Sequence, residues 1–119
     1  MMINKLEKPS IKVYVSSNYK RGRILKELCH GIEEEGIPYE VVYKEGTNSV
    51  YLGYEACRSS ILGVGLGITE SSITLHYEKL EEASPLFIVE VNFSLENIRS
   101  LGANSARLVK RMPFKAIDK

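Results

Sequence analysis

Across residues 11–16 the β-branched Ile11, Val13 and Val15 alternate with Lys12, Tyr14 and Ser16, a period of two that predicts a strand. Over 21–35 the period changes. Ile24, Leu25, Leu28, Cys29 and Ile32 recur at helical spacing, and Gly36 supplies a left-handed stop that lets Ile37 fold back toward Ile32. Pro38 cannot continue that helix, and 39–44 returns to extended, β-branched chemistry before a turn at Glu45, Gly46 and Asn48. The spacing of Val50, Tyr54 and Cys57 predicts a second helix over 49–60.

The run 61–68 is almost wholly apolar, as expected of a central strand covered on both faces. Residues 73–78 alternate again, with Ile73, Leu75 and Tyr77 on one side. Only 69–72 separate these runs, too short for a parallel crossover, so the pair is predicted to be an antiparallel hairpin. A further strand is expected over 86–91. Ser94 then caps a long helix whose inward stripe is Ile98, Leu101, Ser105, Leu108 and Met112. Strand, helix, strand, helix, a three-strand meander and a helix together predict a three-layer α/β domain over 11–119, preceded by an arm at 1–10 that Pro9 and Ser10 interrupt.

Composition narrows the class. The chain of 119 residues is 44% apolar and 26% charged, with a formal net charge of +1, so no large field calls for nucleic acid or a membrane surface. No apolar stretch approaches the roughly 20 residues of a membrane-spanning helix, and the N-terminal segment lacks the apolar core of a secretory signal, so cytoplasmic residence is expected. Cys29 and Cys57 have neither C-x-x-C spacing nor a nearby ligand pair and read as small buried hydrophobes.

The candidate chemistry is sparse. Gly63, Gly65 and Gly67 evoke a dinucleotide loop, but another strand follows them where a helix N-terminus is required, so they are expected to admit a close backbone neighbour instead. There is no phosphate-loop signature, and His30 and His76 show no metal or nucleophile spacing. His76 is expected to pair with Thr74 or Glu78 on its own strand face. Lys20, Arg21 and Arg23, with Arg107, Lys110, Arg111 and Lys115, read first as solvated surface, and Lys110 and Arg111 also suit a helix C-terminus.

Glu33, Glu34 and Glu35 break a local rule, because three carboxylates in the last turn oppose the helix dipole and repel one another. Two readings stand side by side: a solvated acidic turn, and a carboxylate offered to a partner. Glu34 points about 200° from Ile32, most directly away from the core. A lone carboxylate is too little for a metal cage, but it suffices to complete the oxygen shell of a Mg²⁺ or Ca²⁺ ion held by another protein.

Taken together, GIEEEGIPYEV (31–41), EACRSSILGVGLG (55–67), ITLHYEKLEEASPLF (73–87) and GANSARLVKRMPF (102–114) resemble the small subunits of diol and glycerol dehydratase reactivases. The resemblance spans 11–114 and keeps the order and spacing of all four segments. It implies the fold of the cobalamin-contacting medium subunit of the dehydratase: a five-stranded mixed sheet in the order 2-1-3-4-5, helices on both faces, strand four antiparallel. It further implies a non-catalytic subunit that pairs, in a heterotetramer, with a large ATPase subunit holding ATP or ADP. Together the two release damaged cobalamin from inactivated dehydratase, this chain docking where the medium subunit docks. In that family one glutamate of the G-I-E-E-E-G turn reaches a metal of the large subunit, and the motif matches it to Glu34. Association with a bacterial microcompartment is also implied.

The same turn occurs in medium subunits, so a cobalamin-contacting dehydratase subunit is the alternative, with a nucleic-acid-binding module third. Medium subunits carry an S-G-S-G-like strand entry and a Pro-Pro loop near the cobalamin tail. This chain reads Arg58-Ser-Ser-Ile61 and Lys79-Leu-Glu-Glu-Ala-Ser-Pro85 there, which favours the reactivase. It also reads Gly102-Ala-Asn-Ser-Ala-Arg107 where the family commonly has a second Asn and another Ala.

Overall fold

The computed structural model describes residues 8–20, 22–92 and 94–117. Its elements run β1 (Ile11–Ser16), α1 (Gly22–Glu34), β2 (Tyr39–Lys44), α2 (Ser49–Ser59), β3 (Val64–Ile68), β4 (Ser72–Tyr77), β5 (Phe87–Glu90) and α3 (Leu95–Lys110). The strands form one sheet in the order β2-β1-β3-β4-β5, with β1 parallel to β2 and β3, and β4 antiparallel to β3 and β5. This is the mixed sheet that the resemblance implied. Most of the arm at 1–10, together with Arg21 of the predicted first helix, lies outside the described residues.

Chain direction dictates the layers. The crossover from β1 to β2 and the one from β2 back across to β3 run in opposite directions along the sheet, so right-handed connections place α1 and α2 on opposite faces. Ile11, Val13 and Val15 of β1, Val64, Leu66 and Ile68 of β3, and Ile73 and Leu75 of β4 pack with Leu28, Ile32, Ile98 and Leu101 of α1 and α3. On the opposite face Tyr14 meets Leu52 and Ala56 of α2.

Three expectations need correction. The third strand begins at Val64, because Gly63 takes a left-handed φ of 74° in the preceding turn and leaves Ile61 exposed. The second helix forms where its spacing predicts, and its buried face is Ser49, Leu52, Gly53, Ala56 and Cys57, since small residues let the helix settle onto the glycines of β3. A Cβ on Gly65 would lie 2.2 Å from Cys57 N, and one on Gly67 2.3 Å from Ser49 O, so the close neighbour expected at these glycines is α2. Met112 is exposed because α3 stops at Lys110, where Arg111 turns left-handed (φ 58°) and the Met112 N–H closes onto Arg107 O. His76 pairs with neither Thr74 nor Glu78. Thr74 is taken by Ser49 Oγ at 2.8 Å, while fully buried His76 accepts from Tyr77 N–H at Nδ1 (3.0 Å) and donates from Nε2 to Glu82 O (3.0 Å). It ties the loop after β4 to the sheet.

The contact that most constrains the site is between α1 and α3. A Cβ added to Gly31 would lie 2.0 Å from Arg99 O, and one added to Gly102 would lie 2.0 Å from Leu28 O. The two helices therefore cross with backbone against backbone, and the end of α1 is fixed relative to α3. Ser94 Oγ accepts from Asn97 N–H at 3.2 Å, which caps α3 as its sequence predicts.

Candidate functional site

Helix α1 ends where its sequence says it should. Gly36 adopts φ 77°, its N–H donates to Glu33 O, and Ile37 packs on the core cluster that contains Ile32. The three glutamates meet different fates. Tyr39 Oη donates to Glu33 Oε2 at 2.9 Å. Glu35 accepts from Lys110 Nζ at 2.7 Å and from Arg107 Nε at 3.1 Å, while Lys110 Nζ also donates to Glu35 O at 2.8 Å. Cations of α3 thus neutralise the acidic end of α1 and satisfy one of its orphan carbonyls.

Glu34 is exposed, and among the described residues it makes no hydrogen bond or ion pair. It lines a cleft of about 530 Å³ together with Glu96, Arg99 and Ser100 of α3 and Lys115 and Ala116 of the C-terminal tail. Arg99 is anchored there by Glu27, which both its Nε and Nη2 reach. Of the three carboxylates, then, Glu34 is the one left available to another molecule. One available carboxylate fits the completion of an ion's oxygen shell and does not fit a site of its own, and no group of three metal-ligating side chains occurs among the described residues.

The two basic groups do not share a face. Lys20 and Arg23 flank the start of α1, whereas Arg107 and Lys110 bind Glu35 beyond its other end, roughly 18 Å away at helical rise. Cys29 and Cys57 are buried and free, and burial pushes both thiols up to about 11, consistent with inert packing. Burial and the hydrogen bond to Glu33 push the Tyr39 phenol up to about 12.

Sequence reasoning missed Arg99 and Asn104, and it read Lys115 only as solvated surface. Asn104 is fully buried in the middle of α3, and its side chain holds Lys115 by both main-chain groups, accepting from its N–H at 2.7 Å and donating to its carbonyl at 3.0 Å. An amide on the apolar face of a helix was the available signal, because such a group must find partners.

A pH dependence follows from Glu35, whose carboxyl Lys110 and then Arg107 hold below the usual range. A lowered folded pKa adds stability above the unfolded value, about 4.3, and that stability is lost as pH falls through the folded value. Denaturant titrations from pH 7 to pH 3 should show wild type losing more stability than Glu35→Gln. At neutral pH Glu35→Gln should cost about 1 kcal/mol, the upper end for a solvent-screened pair.

Known proteins resemble this chain in sequence and in fold. The family model described as dehydratase medium subunit matches residues 8–115. A probable glycerol dehydratase-reactivating factor small subunit of Citrobacter freundii is 35% identical over 114 residues, covering 94% of this chain and 97% of that protein. The propanediol dehydratase-reactivating factor small subunit of Salmonella typhimurium is 38% identical over 89 residues, 75% of this chain and 77% of its own length. A solved glycerol dehydratase reactivase superposes with a TM-score of 0.89 at 32% identity, covering 93% of this chain and 100% of that one. A diol dehydratase-reactivating factor, solved in complex with ADP and Mg²⁺, gives 0.86 at 33% identity over 92% of this chain and 100% of its own. Matched over nearly its whole length in sequence and in fold, the chain belongs to the dehydratase medium subunit family and, within it, to the small subunits of glycerol and diol dehydratase-reactivating factors.

Proposed function

We propose that this chain is the non-catalytic, exchangeable subunit of a factor that releases damaged cobalamin from inactivated glycerol or diol dehydratase. It pairs with a large subunit that holds the nucleotide, imitates the dehydratase medium subunit, and opens the cobalamin site by occupying that subunit's place. The observation that carries the reading is the superposition of 93% of this chain on a solved reactivase, whose chain is covered completely. Glu34 supports it from the chain's own chemistry: it is an exposed carboxylate suited to complete a divalent ion's shell in the large subunit. Nucleotide chemistry is assigned to the large subunit because α2 lies against the glycines of β3 and leaves no phosphate loop there.

Calorimetry tests this division of labour. The isolated chain should give no heat of binding with ATP or ADP, and the complex with the large subunit should bind both. Micromolar affinity of the pure chain for either nucleotide would overturn the assignment. Binding of hydroxocobalamin to the pure chain would instead favour a cobalamin-contacting dehydratase subunit.

A further inference from the structure

The two edges of the sheet differ in what they offer a neighbour. β5 is four residues long and Glu90 is its one charge, so pairing it with itself sets no unlike charges opposite one another. β2 is six residues long, with β1 on one side and no strand on the other. Ile11 N–H donates to Pro38 O and Ser17 N–H to Lys44 O, and main-chain groups alternate sides along a strand of a parallel ladder. Those of Tyr39, Val41 and Tyr43 therefore point away from the sheet. Side chains alternate between the two faces in the same rhythm. Val42 packs with Tyr14 on the α2 face, where Lys12 also binds Glu40 and the Lys44 ammonium lies 5.1 Å from the Tyr14 ring centroid. Tyr39 and Val41 pack on the opposite core, and Tyr43 is 58% exposed.

We infer, independently of the function proposed above, that this edge pairs with a second copy of the chain, β2 against β2, antiparallel about a two-fold axis through Val42. Such an axis keeps each face of the sheet on its own side, so even positions must meet even ones and odd must meet odd. Centred on Val42, the pairing sets Glu40 of each copy opposite Lys44 of the other, while Val41 and Tyr43 exchange main-chain hydrogen bonds. The charges then occupy the sites without main-chain bonds, where facing side chains approach most closely. Centred on Val41 or on Tyr43 instead, Glu40 or Lys44 would face Val42, so the charges select one register. Charge on an edge strand ordinarily repels a second edge, but this spacing makes β2 complementary to itself. Both charges remain available: Lys12 takes Oε1 of Glu40, whose side chain stays 57% exposed, and Lys44 has no ion pair among the described residues.

Sedimentation and hydrogen exchange of the full chain test this. The chain should show a monomer–dimer equilibrium that weakens with salt, with a dissociation constant on the order of 10–100 µM for so small a contact. As concentration rises, exchange should slow at the Val41 and Tyr43 amides and stay unchanged at Val42 and Lys44, which already face β1. Lys44→Glu should weaken association about tenfold or more, because two unlike pairs become like ones. Glu40→Lys should do the same, and an equimolar mixture of the two variants should regain wild-type association, since every opposed pair in the mixed dimer is unlike again. Should Glu40→Lys fail to fold beside Lys12, Lys44→Glu and the exchange pattern still decide. A wild-type chain that stays monomeric up to about 1 mM overturns the inference. So does a dimer that Lys44→Glu leaves intact, or a mixture of folded variants that does not recover.

Discussion

Gly31→Ala should unfold the protein at markedly lower temperature, although alanine is the better helix former by about 1 kcal/mol. The added methyl would sit 2.0 Å from Arg99 O and 2.8 Å from Ala103 N, both main-chain atoms that no side-chain rotation can move aside. Relief requires α1 and α3 to separate, which loosens the packing of Leu28 and Ile32 on Ile98 and Leu101. Overpacking typically costs 1–3 kcal/mol, and a main-chain collision belongs at the upper end, so after the gain in helix propensity a net loss of about 2 kcal/mol is expected. For a chain of this size that is roughly an 8 °C fall in Tm. Gly22→Ala is the control. Nothing lies within 4 Å of the methyl it would add, so it should be neutral or slightly stabilising in the same thermal melt. Equal melting of Gly31→Ala and wild type would show that the helices do not cross as described.

Why this crossing escaped the sequence is instructive. Gly31 and Gly102 were visible, but a glycine inside a helical pattern signals only reduced helix propensity until a partner is known. The close approach is a relation between positions 31 and 102, and periodicity reports on one element at a time. Where one element decides the outcome, legibility was high. Period-two runs marked β1 and β4 and apolar or β-branched runs the other three strands, the short link at 69–72 forced the hairpin, Gly36 marked the end of α1 and Ser94 the start of α3. The same limit explains His76, whose partners are main-chain groups of Tyr77 and Glu82 that no side-chain pattern reveals. In the acidic turn, helical geometry pointed Glu34 outward, but only the fold shows Lys110 and Arg107 collecting Glu35 and Tyr39 collecting Glu33. The repulsion that marked the turn in the sequence is thus largely neutralised by α3, and what remains distinctive is one carboxylate left over.

Glu34→Gln should be nearly silent in the isolated chain and costly in assembly. The side chain is exposed and without a hydrogen bond among the described residues, so its melting temperature should stay within the range of ordinary surface changes, about 0.5 kcal/mol. A neutral amide oxygen is a poorer ligand for a hard divalent ion. Affinity for the large subunit in Mg²⁺ should therefore fall about tenfold or more, and most of that deficit should vanish in chelator, where wild type loses the same contact. Glu33→Gln is the matched control, since it removes an equal charge one residue away from a carboxylate already occupied by Tyr39. Equal affinities of wild type and Glu34→Gln, with and without Mg²⁺, would return the turn to ordinary surface.

If this chain acts by taking the place of the dehydratase medium subunit, as proposed, following that subunit will show it. Dehydratase carrying damaged cobalamin and a fluorescently labelled medium subunit is incubated with ATP, Mg²⁺ and the large subunit, with or without this chain, and then filtered. Labelled medium subunit and free cobalamin should leave the enzyme together, in proportion, and only when this chain is present. Cobalamin released to the same extent by the large subunit alone, or with the medium subunit retained throughout, would contradict it.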